Sequence, residues 1–142
     1  MKPTARWIWG AGGLAALGAL LIFWILSQNS SNLPGTRWNL AFLNGHAPLG
    51  ASGTVSISFE AGQQVSGNSG CNIFGGSYST NGSRLALTQL NSTMRACADQ
   101  GLNDQEAEFY QALGVVTAYE ISGGQLLLRD AGGTAVLTFN PG

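Results

Sequence analysis

Charge is what this 142-residue sequence has least of: only 9% of its residues are Asp, Glu, Lys or Arg. Beyond residue 32 the cations are Arg37, Arg84, Arg95 and Arg129. The anions are Glu60, Asp99, Asp104, Glu106, Glu108, Glu120 and Asp130, so four stand against seven and the net charge of this part is −3. With no basic patch and no interleaving of aromatic and basic residues, the pattern argues against nucleic acid as a partner.

Cysteine and histidine are equally sparse. There are two cysteines, Cys71 and Cys97, and one histidine, His46. Structural zinc sites want four such ligands at close paired spacings, so no metal set is expected. Neither a CxxC nor anything that marks an oxyanion hole is present, which disfavours a Cys71 nucleophile activated by His46. His46 follows Asn44-Gly45 and reads as an exposed turn residue. Glu106 and Glu108 lie two apart on a predicted helix, face different directions and read as a solvated face rather than as an acid/base pair. No catalytic residue and no cofactor are expected.

Lysine is missing from the most unusual stretch, "GNSGCNIFGGSYSTNG" at residues 67–82, which holds five glycines. A P-loop needs a Lys to reach the phosphates and a helix to follow. This stretch has neither, nor the glycine spacing of a dinucleotide fingerprint. Strand patterns lie on both sides of it, so it reads as a structural corner.

Charge is also absent from "WIWGAGGLAALGALLIFWIL", residues 7–26. Twenty helical residues span roughly 30 Å, about the thickness of a hydrocarbon core. Lys2 and Arg6 precede the run and the next cation is Arg37, a bias that puts the N-terminus (residues 1–6) inside the cell. Trp7, Trp9 and Trp24 sit where interfacial aromatic anchors are expected. The run predicts a transmembrane signal anchor. A cleaved signal peptide competes with that reading, although the apolar core is long for one and no Ala-x-Ala site follows. Residues 27–35 predict a polar linker ending in a Pro-Gly turn.

From residue 36 to 142 the chain is mostly period two. Trp38, Leu40 and Phe42 alternate with polar or small neighbours, and Val55, Ile57 and Phe59 do the same in "TVSISFE". "GSYSTNG" and "RLALTQL" flank Asn81-Gly82, a hairpin signal. "VVTAYEI", "QLLLRD" and "TAVLTF", separated by Gly123-Gly124 and Gly132-Gly133, predict a three-strand meander. About eight short strands at this spacing suit a small antiparallel barrel or sandwich. "NDQEAEFYQALG", residues 103–114, predicts one helix, with Asn103 and Glu106 as a capping box and Gly114 as its end. Phe109, Tyr110 and Leu113 share a face, and the helix is expected to plug an open end of the barrel.

These elements carry a resemblance. "GTRWNL", then "VSGNSGCNIFGGSY", "STMRACAD", an acidic helix with "E..FY.AL" and a Gly-Gly meander ending in "LTF" together resemble the META/HslJ-like domain of bacterial envelope proteins, over about residues 33–140. The resemblance implies a mainly β, barrel-like fold with one helix. It also implies an extracytoplasmic home and an association with envelope stress, secretion or motility, but it points to no particular catalytic site, because the family's biochemical activity is poorly defined. Its structural motif positions are Trp38, Gly70, Asn72, Gly76, Tyr78 and Thr93. One departure stands out: the second motif usually has Met two residues before the Cys, where Arg95 stands here and Met94 comes one earlier. A single register step moves a side chain to the other face.

An export anchor puts the domain in an oxidising compartment with two cysteines left to it, so a Cys71–Cys97 disulfide is expected. It would tie the glycine-rich corner to the segment leading into the helix. Gly70 is expected at positive φ in a bulge, Gly75-Gly76 at a close bend, Asn72 as a cap for backbone groups, and Tyr78 packed with its hydroxyl on a partner. The functional expectation is a non-enzymatic module in the inner membrane. Its domain would be periplasmic and act through contacts with an envelope protein. The alternative is a binder of a small hydrophobic ligand or lipid in a barrel cavity.

Overall fold

The computed structural model describes residues 32–51 and 53–142. The expected anchor at 7–26 and residues 27–31 of the expected linker lie outside the described residues. Among those described, no helix is long and apolar enough to cross a membrane.

Eight strands and one helix follow in chain order: β1 (Thr36–Leu43), β2 (Val55–Glu60), β3 (Gln64–Ser69), β4 (Ile73–Asn81), β5 (Arg84–Ser92), α1 (Gln100–Val115), β6 (Ala118–Ser122), β7 (Gln125–Arg129) and β8 (Ala135–Pro141). Each strand pairs with its neighbour in sequence and β8 returns to β1, so the antiparallel sheet closes into an up-and-down barrel. The short turns joining β2 to β3, β3 to β4, β4 to β5, β6 to β7 and β7 to β8 favour this order. Gly123 and Gly124 both hold positive φ between Ser122 and Gln125, as a two-residue type I′ hairpin requires. In the β4–β5 hairpin the paired residues are Asn81 and Arg84, so the central residues are Gly82 and Ser83. Only Gly82 has positive φ, the type II′ pattern, which places the turn one residue later than the Asn81-Gly82 dipeptide suggests.

Inward-facing residues of the strands fill the barrel axis. Ile57, Phe59, Leu126, Leu128, Leu137 and Phe139 are fully buried. Helix α1 adds Phe109 and Leu113 to the same cluster, with the Phe109 ring edge-on to Phe74 at 5.7 Å between centroids. The helix therefore closes over the barrel core, whose described residues pack as one cluster of side chains.

The structure corrects three local expectations. In β1 the register against β8 shifts between Leu40 and Phe42. That irregularity changes the phase of the strand, so Leu43 turns inward and Phe42 is left 44% exposed. Leu33, assigned to the polar linker, is 1% exposed and belongs to the core. Gly35, at positive φ, ties that entry segment to β2 through its N–H to the Phe59 carbonyl, 2.7 Å. The helix begins at Gln100, three residues before the expected Asn103. Asp99 caps it, accepting the Gly101 N–H at 2.7 Å, and the helix ends at Val115, one residue past Gly114.

Candidate functional site

The corner between β3 and β4 is built from Ser69, Gly70, Cys71 and Asn72. The Ser69 N–H donates to the Asn72 carbonyl at 2.8 Å, which closes the turn. Gly70 takes φ +117°, a conformation L side chains rarely adopt. It lies in this turn rather than in the expected bulge. The irregularity in β4 falls instead between Gly75 and Ser77, opposite Thr88 and Asn91. Gly76 sits at it: a Cβ there would lie 2.8 Å from the Thr88 carbonyl oxygen. The same argument applies more strongly to Gly67, where a Cβ would meet the Ser56 carbonyl oxygen at 2.1 Å and the Phe74 ring at 2.6 Å.

Cys71 and Cys97 form a disulfide, with Cα atoms 5.5 Å apart and a sequence separation of 26. Asn72 makes the same connection by hydrogen bonds. Its Oδ1 accepts from Thr93 Oγ1 at 2.8 Å and from the Arg95 N–H at 2.7 Å. Its Nδ2 donates to the Arg95 carbonyl at 2.9 Å and to Glu106 Oε2 at 2.7 Å. One amide side chain thus uses its full donor and acceptor capacity to hold the 93–97 segment and α1 against the corner. Thr93 closes the unit, accepting the Ile73 N–H at 3.2 Å. Asn103, inside α1, bonds back to both the N–H and the carbonyl of Cys97.

Glu106 is the centre of this cluster, and the expectation of a solvated face fails for it. It is only 8% exposed, whereas Glu108 is exposed and accepts from Asn44. Glu106 takes part in no ion pair among the described residues. Its carboxyl group is held by Ser69 Oγ, by the Asn72 N–H at 3.0 Å and by Asn72 Nδ2. Ser69 Oγ has a single hydrogen, so the Tyr110 hydroxyl, 2.7 Å away, donates to it while it donates onward to the carboxylate. Three hydrogen bonds from the protein replace the water that burial removes.

This arrangement restricts the chemistry open to the site. The sulfurs of Cys71 and Cys97 and a Glu106 oxygen lie within 4.8 Å of one another. Bonded to each other, the sulfurs offer neither a nucleophile nor a thiolate ligand. His46 is outside this cluster: it is exposed, on the turn after β1, where its backbone pairs with Leu43. Trp38 and Tyr78 lie in the barrel wall. Trp38 Nε1 donates to Thr36 Oγ1 at 2.7 Å. The Tyr78 hydroxyl donates to the Glu60 carbonyl at 3.0 Å, and its ring meets Phe59 edge-on. Met94, beside Arg95 in the departing motif, is 97% exposed. Ser69 and Glu106 were missed by sequence reasoning. For Glu106 the signal was available, because residues 106, 109, 110 and 113 form one i, i+3, i+4, i+7 stripe, which places the carboxylate on the packed face.

The fold and corner define a class: a small antiparallel barrel plugged by its one helix and stapled to it by a disulfide. Residues 31–141 match the META domain, and the chain belongs to that family. Two solved structures share the fold. One, an NMR structure, is 27% identical with a TM-score of 0.60, covering 74% of this chain and 87% of its own. The other, an NMR structure of a protein from Burkholderia xenovorans, is 23% identical with a TM-score of 0.60, covering 100% and 97%. No curated protein matches the chain.

Proposed function

We propose that this chain is a membrane-anchored extracytoplasmic module, without catalytic activity of its own, that works through protein contacts in the cell envelope in stress response, integrity or secretion. The observation that carries the reading is the Cys71–Cys97 pair, since such bonds persist in oxidising compartments. The uncharged run at 7–26, with Lys2 and Arg6 before it, supports a single pass through the inner membrane with the META domain on the periplasmic side. The mutual satisfaction of Asn72, Ser69 and Glu106 also supports it, because their polar groups are engaged in holding the fold.

The test is fractionation of the full chain made in a bacterium with two membranes. It is expected in the inner membrane after alkaline carbonate extraction, cleaved by protease added to spheroplasts, and unreactive to maleimide until reduced. Recovery from the cytoplasm with free thiols defeats the anchor reading. Unaltered envelope integrity and secretion in a deletion strain under stress defeats the protein-contact reading.

A further inference from the structure

The barrel is closed unevenly. Seven of its eight strand junctions are paired over four or more positions, but β5 and β6 pair only at Arg84 and Ala118. Two backbone bonds make that junction: the Leu85 N–H to the Thr117 carbonyl at 3.0 Å, and the Tyr119 N–H to the Ser83 carbonyl at 2.9 Å. Beyond it, β5 runs on from Ala86 to Ser92 with no strand of the described residues beside its outer edge. Strand alternation puts the N–H and carbonyl of Leu87 on the same edge as the Leu85 N–H, and neither has a hydrogen-bond partner among the described residues.

The side chains mark the same seam. The apolar residues that pack on the core while staying partly exposed are Leu87 and Leu90 of β5, Tyr110 of α1, and Tyr119 and Ile121 of β6. An open depression of about 480 Å³ lies at the start of β5, walled by residues including Arg84, Leu87 and Val116. A second, of about 290 Å³, lies at its end between Leu90 and Tyr110. The charge is one-sided. Arg84 makes no ion pair among the described residues, and Ala86 to Ser92 carries no charge.

We propose that the free edge of β5 is a strand-addition site for a short extended segment of a partner protein. The segment runs antiparallel to β5, places apolar side chains beside Leu87 and Leu90, and ends in a carboxylate facing Arg84. An unpaired edge recognises any extended main chain, the half-covered apolar residues select alternate side chains, and the uncompensated guanidinium selects the charge. The positive φ of Gln89, 54°, bends β5 within this stretch and keeps the segment short. The inference rests on the protein-contact reading above and names the partner chemistry.

The probe is a library of hexapeptides of alternating apolar and polar residues with free C-termini, titrated against the full chain in detergent micelles. Members of the library are expected to bind and to slow hydrogen exchange at the Leu87 amide. Amidation of the peptide C-terminus, or Arg84→Gln, is expected to weaken binding at least about fivefold. If amidation has no effect while Arg84→Gln weakens peptides that carry an internal Asp or Glu, the carboxylate is a side chain, and the charge assignment stands. Leu87→Pro, which removes the outward donor without breaking a ladder bond, is expected to abolish binding. Arg84→Gln changes an exposed side chain that makes no ion pair among the described residues and leaves the backbone pairing intact, so it is the variant expected to fold. Absence of Leu87 protection with every member overturns the proposal, as does equal binding by Arg84→Gln. A native mass showing dimers that Leu87→Pro dissolves also overturns it, in favour of a second copy on the same edge. None of these outcomes touches the fractionation result, so failure of the seam and failure of the anchor reading are separable.

Discussion

At the residue scale, Glu106 shows how a carboxylate is kept inside a barrel without a cation. Both its oxygens accept hydrogen bonds, from Ser69, the Asn72 N–H and Asn72 Nδ2. Removing it leaves several buried donors unmatched at once. Glu106→Ala is therefore expected to destabilise the protein by about 3 kcal/mol, read as a lower urea midpoint at unchanged slope. Glu106→Gln, which keeps the shape but turns an NH₂ toward donors, should fall between that variant and the wild type. Tyr78 gives the pH prediction. Burial first, and the neighbouring Tyr119 second, raise its pKa from the model-peptide value of 10.0. The unfolded chain thus loses this proton at lower pH than the folded one. Stability from Tyr78 is complete below pH 10 and is lost as pH rises toward the folded value. Tyr78→Phe is expected to cost about 1 kcal/mol at neutral pH, through the bond to the Glu60 carbonyl. It should also flatten the fall in stability as pH rises above 10.0, followed by denaturant titration.

At the scale of elements, the question is what holds α1 in the barrel mouth. Phe109 and Leu113 supply the apolar contact. The disulfide and Asn72 both hold the segment before the helix, so the covalent and hydrogen-bonded links reinforce one another. Reducing the disulfide frees a loop of 26 residues in the unfolded chain, worth about 3.5 kcal/mol in the chain-entropy treatment. Thermal unfolding with and without a dithiol reductant is expected to show a clear drop in midpoint. The native barrel is expected to survive at room temperature, because Asn72 still spans the gap. In sequence, the helix was legible from its apolar stripe, but its start was not. Asn103 fits a capping box equally well, and only the contact of Asn103 with Cys97 reassigns it to the helix interior and leaves Asp99 as the cap.

At the scale of the whole molecule, stability is unevenly distributed around the barrel. The β1–β8 junction carries a long ladder, whereas the β5–β6 junction rests on one residue pair. Native-state hydrogen exchange should reflect this: without a bound segment, the Leu87 amide is expected to exchange at least about 100-fold faster than the amides of Ile57 or Leu137. A uniform pattern around the barrel would mean the seam is covered in solution.

Local chemistry determined much of this protein from sequence alone. Period-two alternation and paired glycines specify the strands, one hairpin and the closing three-strand meander, because side chains alternate across a sheet and positive φ is available mainly to Gly, whereas closure into an up-and-down barrel appears only in the tertiary structure. The same text predicts the helix, its plugging role and the cysteine pair. Tertiary structure decided the rest. The phase change that exposes Phe42 depends on pairing with β8, a partner some 95 residues away in sequence. The hydrogen-bond partners of Glu106 come from the β3–β4 corner, which its own helix cannot supply. The open edge of β5 exists because the chain leaves that strand through a helix, so β6 meets β5 only at its first residue, a matter of where two distant segments come together in space.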